Sequence, residues 1–197
     1  MPLTTSQLQA LKTGINASPT WSAFPIDGDG PTDLAAALNA PASPTFTVWR
    51  TDAPISAIMD AITWANYTPN DSIADADTDP ALSRKIGRLL TAQTKQMNLQ
   101  LMLQGRDRFN AAPPNARAGL RDAVILLPTG AGGANTSPGG ASGVNVLNAC
   151  TRNATEAEKI LATPSSGSDT TGTVTARVLG FEGFVTAAEV AAARNLP

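Results

Sequence analysis

The sequence predicts a mainly α protein: a helix bundle built on a long central helix and an αα-hairpin, with a short β-hairpin or extended segment near the C-terminus. Apolar residues recur at helical spacing along the chain, the signal of amphipathic helices. Thr-x-x-Gln/Glu signatures stand where several of these stretches begin, as a capping box requires. Only two runs, TFTVWRT at 45–51 and TVTARVLGFEGF at 173–184, are rich enough in β-branched and aromatic residues to read as extended.

The first helix is expected after Thr4, which caps it with Gln7 three residues on, while Leu3 staples onto Leu8. Leu8, Leu11 and Ile15 share its inner face. Residues 16–31 are broken by Pro19, Pro25, Gly28, Gly30 and Pro31, with Trp21 and Phe24 pinning the loop onto the core. A short helix follows at 32–39, Leu34 and Leu38 inward. TFTVWRT is either a paired strand or an extended connector. Ile55, Ile58, Met59 and Ile62 mark a helix starting at Pro54, and residues 67–79 are polar and irregular.

The central stretch runs from Pro80 to Leu127. Asp79 as N-cap and Pro80 at N1 open its long helix, and Gly105 closes it. About 25 residues at 1.5 Å rise make a rod of roughly 37 Å. Leu82, Ile86, Leu89, Leu90, Met97 and Leu101 are expected on its buried face, with Arg84, Arg88 and Lys95 opposite. Leu99, Leu101, Met102 and Leu103 point all round the helix, so this end is expected to be buried by the fold or by a neighbouring subunit. Pro113 and Pro114 start a second helix with Leu120, Val124 and Leu127 inward, completing the αα-hairpin.

Beyond it, residues 128–143 hold six Gly and two Pro and read as a flexible loop. Val144, Val146 and Leu147 begin a short helix; Thr155 with Glu158 caps the next, which carries Ile160 and Leu161. A polar loop at 164–172 precedes the second extended run, expected to turn near Gly180 or Gly183. Thr186 with Glu189 caps a final Ala-rich helix, Val185 stapling onto Val190. The expected division is a helical bundle core at 1–127, the Gly-rich loop at 128–143, and C-terminal helices with the extended segment at 144–197 packed on the core.

Composition narrows function. The 197 residues include no His, which removes Ser-His-Asp and Cys-His catalysis and His-ligated metals. The single Cys150 offers no intrachain disulfide and reads as a small buried hydrophobe. No run is apolar enough to span a membrane, and no signal peptide is expected. Charge is uneven. Residues 1–81 carry two bases and nine acids, a balance of −7; residues 82–121 carry eight bases and one acid, +7; residues 122–197 carry four bases and six acids, −2. This is either a set of solvated faces or a two-signed surface able to meet itself head to tail.

Motifs that suggest ligands are incomplete. GAGGANTS at 130–137 lacks the Lys-Ser/Thr pair of a phosphate loop. Asp75, Asp77 and Asp79 resemble the start of a Ca²⁺ loop, but Pro80 and Ile86 stand where Gly and Glu are needed. Asp27-Gly28-Asp29 fails in the same way at Leu38. The basic cluster of Arg84, Lys85, Arg88, Lys95, Arg106, Arg108, Arg117 and Arg121 lacks the interleaved aromatics of a single-strand binder. No metal or organic cofactor is expected.

Three stretches together resemble small structural proteins of tailed bacteriophages, in the head–tail neck or head-completion group: DLAAALNAP…FTVWRTDAPISAIMDAI at 33–62, NARAGLRDAV at 115–124, and ATEAEKILAT…FEGFVTAAEV at 154–190. The resemblance implies a mostly helical adaptor, made in the bacterial host cytoplasm, that forms a ring, by resemblance a dodecamer, on the portal vertex of the virion. Its implied partners are copies of itself, the portal protein, tail or further neck proteins and, non-specifically, packaged DNA. It implies no catalytic residues. Decoration and tail completion are neighbouring roles, and a small binding module or a His-free Asp/Arg enzyme are the other classes. The residues expected at a subunit or channel interface are Arg84, Arg88, Lys95, Leu99, Met102, Arg106 and Arg108.

Overall fold

A computed structural model describes residues 2–68, 81–129, 135–162 and 167–197. They are mainly helical, about 52%, with a small mixed sheet. In chain order the elements are α1 (Thr5–Ala17), α2 (Pro19–Ser22), α3 (Gly30–Leu38), β1 (Thr47–Trp49), β2 (Ala53–Pro54), α4 (Ile55–Asp60), α5 (Ala81–Leu103), β3 (Arg108–Phe109), α6 (Pro114–Ala123), α7 (Val144–Ala149), β4 (Thr151–Asn153), α8 (Glu156–Leu161), β5 (Ser168–Thr171), β6 (Val174–Arg177) and α9 (Ala187–Arg194). Short 3-10 turns cover Trp64–Tyr67 and Ala141–Gly143. The four-stranded sheet has the order β4-β1-β6-β5, with β1 parallel to β6; β2 and β3 form an antiparallel pair.

The chain gathers into two compact units interleaved in sequence: 1–48, 153–168 and 177–197 in one, 49–152 and 169–176 in the other. These bounds do not follow the sequence-based cuts at 127 and 143. Apolar spacing reports each helix's own stripe and not which distant helix covers it.

In the first unit all three expected capping boxes are present, at Thr4/Gln7, Thr155/Glu158 and Thr186/Glu189. Leu11, Ile15, Leu34, Leu38, Ala157, Val190 and Ala193 form its core, with Trp21 and Phe24 packed against it as expected. Helices α1 and α3 both pack on α9 and α8. Glu189 ties the ends of the unit together: its carboxylate closes the α9 cap and also accepts from the Leu3 N–H at 3.0 Å. Burial alone would raise its pKa. The Thr186 backbone, the Thr186 hydroxyl and the Leu3 N–H outweigh that and hold it below the usual carboxylate value. Glu158, 1% exposed, accepts from the N–H groups of Thr155 and Gly183, each at 2.9 Å.

The second unit is organised by Arg117, which is fully buried. Its guanidinium donates to Thr171 Oγ1 at 3.0 Å, to the carbonyls of Ala111 and Ala112 at 2.7 and 2.6 Å, and to the Asp169 carboxylate. It also lies 4.5 Å from the Trp49 ring centre, a cation–π contact. Helix α5 packs on α6, and α7 on both α4 and α6.

Two expectations are corrected. The hairpin near the C-terminus is formed by β5 and β6 and turns at Gly172-Thr173, not at Gly180 or Gly183; part of the expected loop at 164–172 is therefore strand. Polar side chains are tolerated there because hydroxyls pair across the strands, Thr170 to Thr175 at 2.9 Å. Gly172 has φ +60°, and a Cβ there would lie 2.6 Å from the Ser142 carbonyl, so glycine is required twice over. In the Gly-rich segment, residues 135–143 are tied down: Thr136 exchanges backbone hydrogen bonds with Leu127, and the Gly139 N–H donates to Val124. Residues 130–134, residues 164–166 of the expected polar loop, the expected irregular stretch beyond residue 68, and Asp79 and Pro80, the expected start of α5, lie outside the described residues.

Replacing Arg117 with Ala should destabilise the chain by about 3–5 kcal/mol, because the carbonyls and the Thr171 hydroxyl it satisfies stay buried. Urea titration measures this; a loss under about 1 kcal/mol counts against Arg117 as the organiser.

Candidate assembly surface

Helix α5 is 23 residues long, yet its apolar arc does not face the unit that holds it. Leu101 is 65% exposed, Leu90 56% and Met97 55%, with Ile86 and Leu89 also exposed. The packed side carries Ala92, Leu99 and Leu103 instead. This reverses the expected orientation. The reason is steric. Ala92 on the packed side is fully covered, and where α5 meets α6 Gly119 lies under Met102, whose Sδ would be 3.4 Å from a Cβ at that glycine. Small residues let the helices close, and the bulkier arc is left outside.

The expected interface residues consequently scatter. Arg84, Arg106 and Arg108 are exposed, Arg88, Lys95 and Met102 are half-buried, and Leu99 is buried. Lys95 lays its stem along the packed side and reaches Asp122, Nζ to Oδ1 3.5 Å. Arg108 sits in β3 and donates to the Asp52 carbonyl at 3.4 Å. Leu99 and Lys95 thus serve contacts within the unit. Arg84 and Arg88 do come together, in a shallow groove with Gly87, Thr91, Leu126, Pro128 and Asn135. Leu126 there is held at φ 55°, a left-handed backbone that costs a leucine about 1–2 kcal/mol.

Beside the C-terminal half of α5 runs an apolar cleft of about 490 Å³, lined by Ile55, Met59, Trp64, Leu99, Gln100, Leu103 and Gln104. Trp64 forms one wall. It stacks on Tyr67 at 5.7 Å, and its indole N–H donates to the Met59 carbonyl at 3.2 Å. The Tyr67 hydroxyl donates to the Ala123 carbonyl at 2.9 Å, and burial pushes its pKa up to about 12. Spacing alone assigned Met59 to the buried stripe of α4, but it is 37% exposed beside Trp64. No local pattern distinguishes a helix face that lines a cleft from one that lines a core.

Catalytic chemistry finds few parts here. Among the described residues no group of three or more Cys, Asp or Glu side chains could hold a metal ion. The triplet Asp75, Asp77 and Asp79 lies outside those residues, as does most of GAGGANTS. Cys150 is fully buried, and burial drives its thiol up to about 12 against the opposing pull of Arg50 and Arg117. No described helix is long and apolar enough to cross a membrane. No family model, curated protein or solved structure matches the chain.

The raised Cys150 and Tyr67 values set the alkaline behaviour. Each group binds its proton more tightly folded than unfolded. Their contribution is therefore complete below pH 9 and is lost as pH rises from about 9 to about 12. Stability should fall across that window, and native Cys150 should react with a thiol reagent only as fast as the chain opens. Rapid labelling at pH 8 under native conditions, with no loss of helical signal, would contradict the assignment of Cys150 as a core residue.

Proposed function

We propose that this chain is a structural protein that works by assembly: a head–tail connector of a tailed phage, forming a ring of copies at the portal vertex between portal protein and tail. The observation that carries the reading is the outward apolar arc of α5. Five large apolar side chains on one exposed helix face are what an unassembled partner surface looks like. The αα-hairpin of α5 and α6, set in a helix bundle, is the rigid element that presents it. The −7 and +7 division of charge between residues 1–81 and 82–121 supports ordered meeting of copies, acting on register and encounter rate more than on affinity. Since Lys95 and Leu99 are engaged within their unit, one contact between copies rests on the apolar arc, and closing a ring takes a further, heterologous surface. The groove at Arg84 and Arg88 is the part of the surface suited to phosphates of packaged DNA.

A second reading, a small binding module, is favoured by the cleft between Met59, Trp64 and Leu103, whose volume suits a short apolar side-chain cluster of a partner.

Deleting the gene from the phage that carries it should yield DNA-filled heads that leak and tails that stay free, seen by electron microscopy. Tailed, infectious particles lacking the chain would rule out the connector role. Normal tailing with loss of one bound protein would favour the binding module.

A further inference from the structure

We infer that α5 pairs antiparallel with α5 of a second copy, about a two-fold axis passing between Gln93 and Thr94. The inference deepens the assembly reading above by naming what covers the apolar arc.

Three observations converge on this occupant. The first is spacing. Ile86, Leu90, Met97 and Leu101 follow one another at intervals of four, seven and four residues, so they are symmetric about the point between Gln93 and Thr94. Antiparallel pairing sets Ile86 against Leu101 and Leu90 against Met97, twice each, with Gln93 facing Thr94 at the centre. An isologous contact demands this self-complementarity, residue i meeting j while j meets i. The central polar pair fixes register, as a lone polar layer does in a helical seam. In-register parallel pairing would instead set each of these residues against its own copy, so the direction is chosen by the second observation.

The second observation is charge. Helix α5 has no acidic residue, and its bases Arg84, Lys85, Arg88 and Lys95 all precede its last two turns. Arg84, Arg88 and Lys95 lie opposite the arc, so neither direction of pairing stacks them on their own copies. What separates the two directions is the backbone dipole: antiparallel pairing sets the positive N-terminal end of each helix beside the negative C-terminal end of its partner, and parallel pairing sets like ends together.

The third is area. At roughly 200 Å² for a fully exposed large side chain, the uncovered parts of Ile86, Leu89, Leu90, Met97 and Leu101 amount to about 500 Å². That lies at the upper end of what lone monomers show, about 300–600 Å². Two copies face to face remove about 1,000 Å² through these side chains alone, the size at which a contact becomes specific. Gly87, whose Cβ would meet nothing within 4 Å, leaves room on the flank for a second backbone.

A two-fold pair and a ring use different contacts, since closing a ring takes a heterologous surface. The two readings therefore fail separately. Sedimentation equilibrium of the full chain at micromolar concentration should give twice the 20.2 kDa monomer. The double variant Leu90→Lys, Met97→Lys should give the monomer with unchanged circular dichroism, because both side chains lie outside their unit. Under mild oxidation, Leu90→Cys with Met97→Cys should cross-link two chains. Ile86→Cys alone should not, since its two copies stand about 22 Å apart along antiparallel helices. A monomeric wild type, a lysine variant that remains dimeric, or ready cross-linking of Ile86→Cys alone each overturns the pair. Rings that form on portal protein from a chain monomeric in solution overturn the pair and leave the connector reading standing. A wild-type pair that never adds to portal supports the pair and removes the connector.

Discussion

Each unit depends on one buried charged side chain with its hydrogen bonds supplied. In the second unit it is Arg117, four of whose five N–H groups have named acceptors while Trp49 covers its face. A guanidinium withdrawn from water is tolerable only if nearly every donor is met. That requirement fixes the backbone at Ala111 and Ala112, the start of α6, and strand β5 in one arrangement. In the first unit Glu158 sets a similar condition on Thr155 and on the loop at Gly183. Apolar burial supplies most of the driving force, and these two side chains select which of many apolar packings is adopted.

Local rules were legible in the chain. The three capping boxes are read from residues three apart, and all three form. Leu11, Ile15, Leu34 and Leu38 go inward because short helices have one apolar stripe and nowhere else to put it. The long helix was legible as a helix and illegible as to which side packs. Its arc from Ile86 to Leu101 is the stronger apolar signal, yet Ala92 and Leu103 take the packed side. A hydrophobic stripe records that a surface is to be covered and is silent on whether the cover comes from the same chain. Arg117 was equally hidden. One turn from Arg121 in a basic stretch, it reads as part of a charged face, and its partner Asp169 is 52 residues away.

The candidate surface was half legible for the same reason. Charge balance set a basic stretch at 82–121 against an acidic one at 1–81, and the exposed arc lies within the basic stretch. The particular side chains differ because the bases on α5 are long enough to run along a packed face and still reach water or a carboxylate, as Lys95 does at Asp122. Trp64 and Met59 add an aromatic wall and a pliable thioether beside the arc, both suited to adaptable contact.

The interleaving of the two units bears on how the chain is made. Leu3 and Glu189, which join α1 to α9, are separated by 186 residues. At roughly 5–20 residues per second of synthesis, α1 waits on the order of 10–40 s for the helix that covers Leu11 and Ile15. During that interval the nascent N-terminal helices must stay apart from those of neighbouring chains on the same message. Helix capping helps, since Thr4 and Gln7 hold the first turn with no tertiary partner. The apolar side chains remain uncovered until α9 has been made, so the yield of native protein should depend on holding chaperones and on the pace of translation.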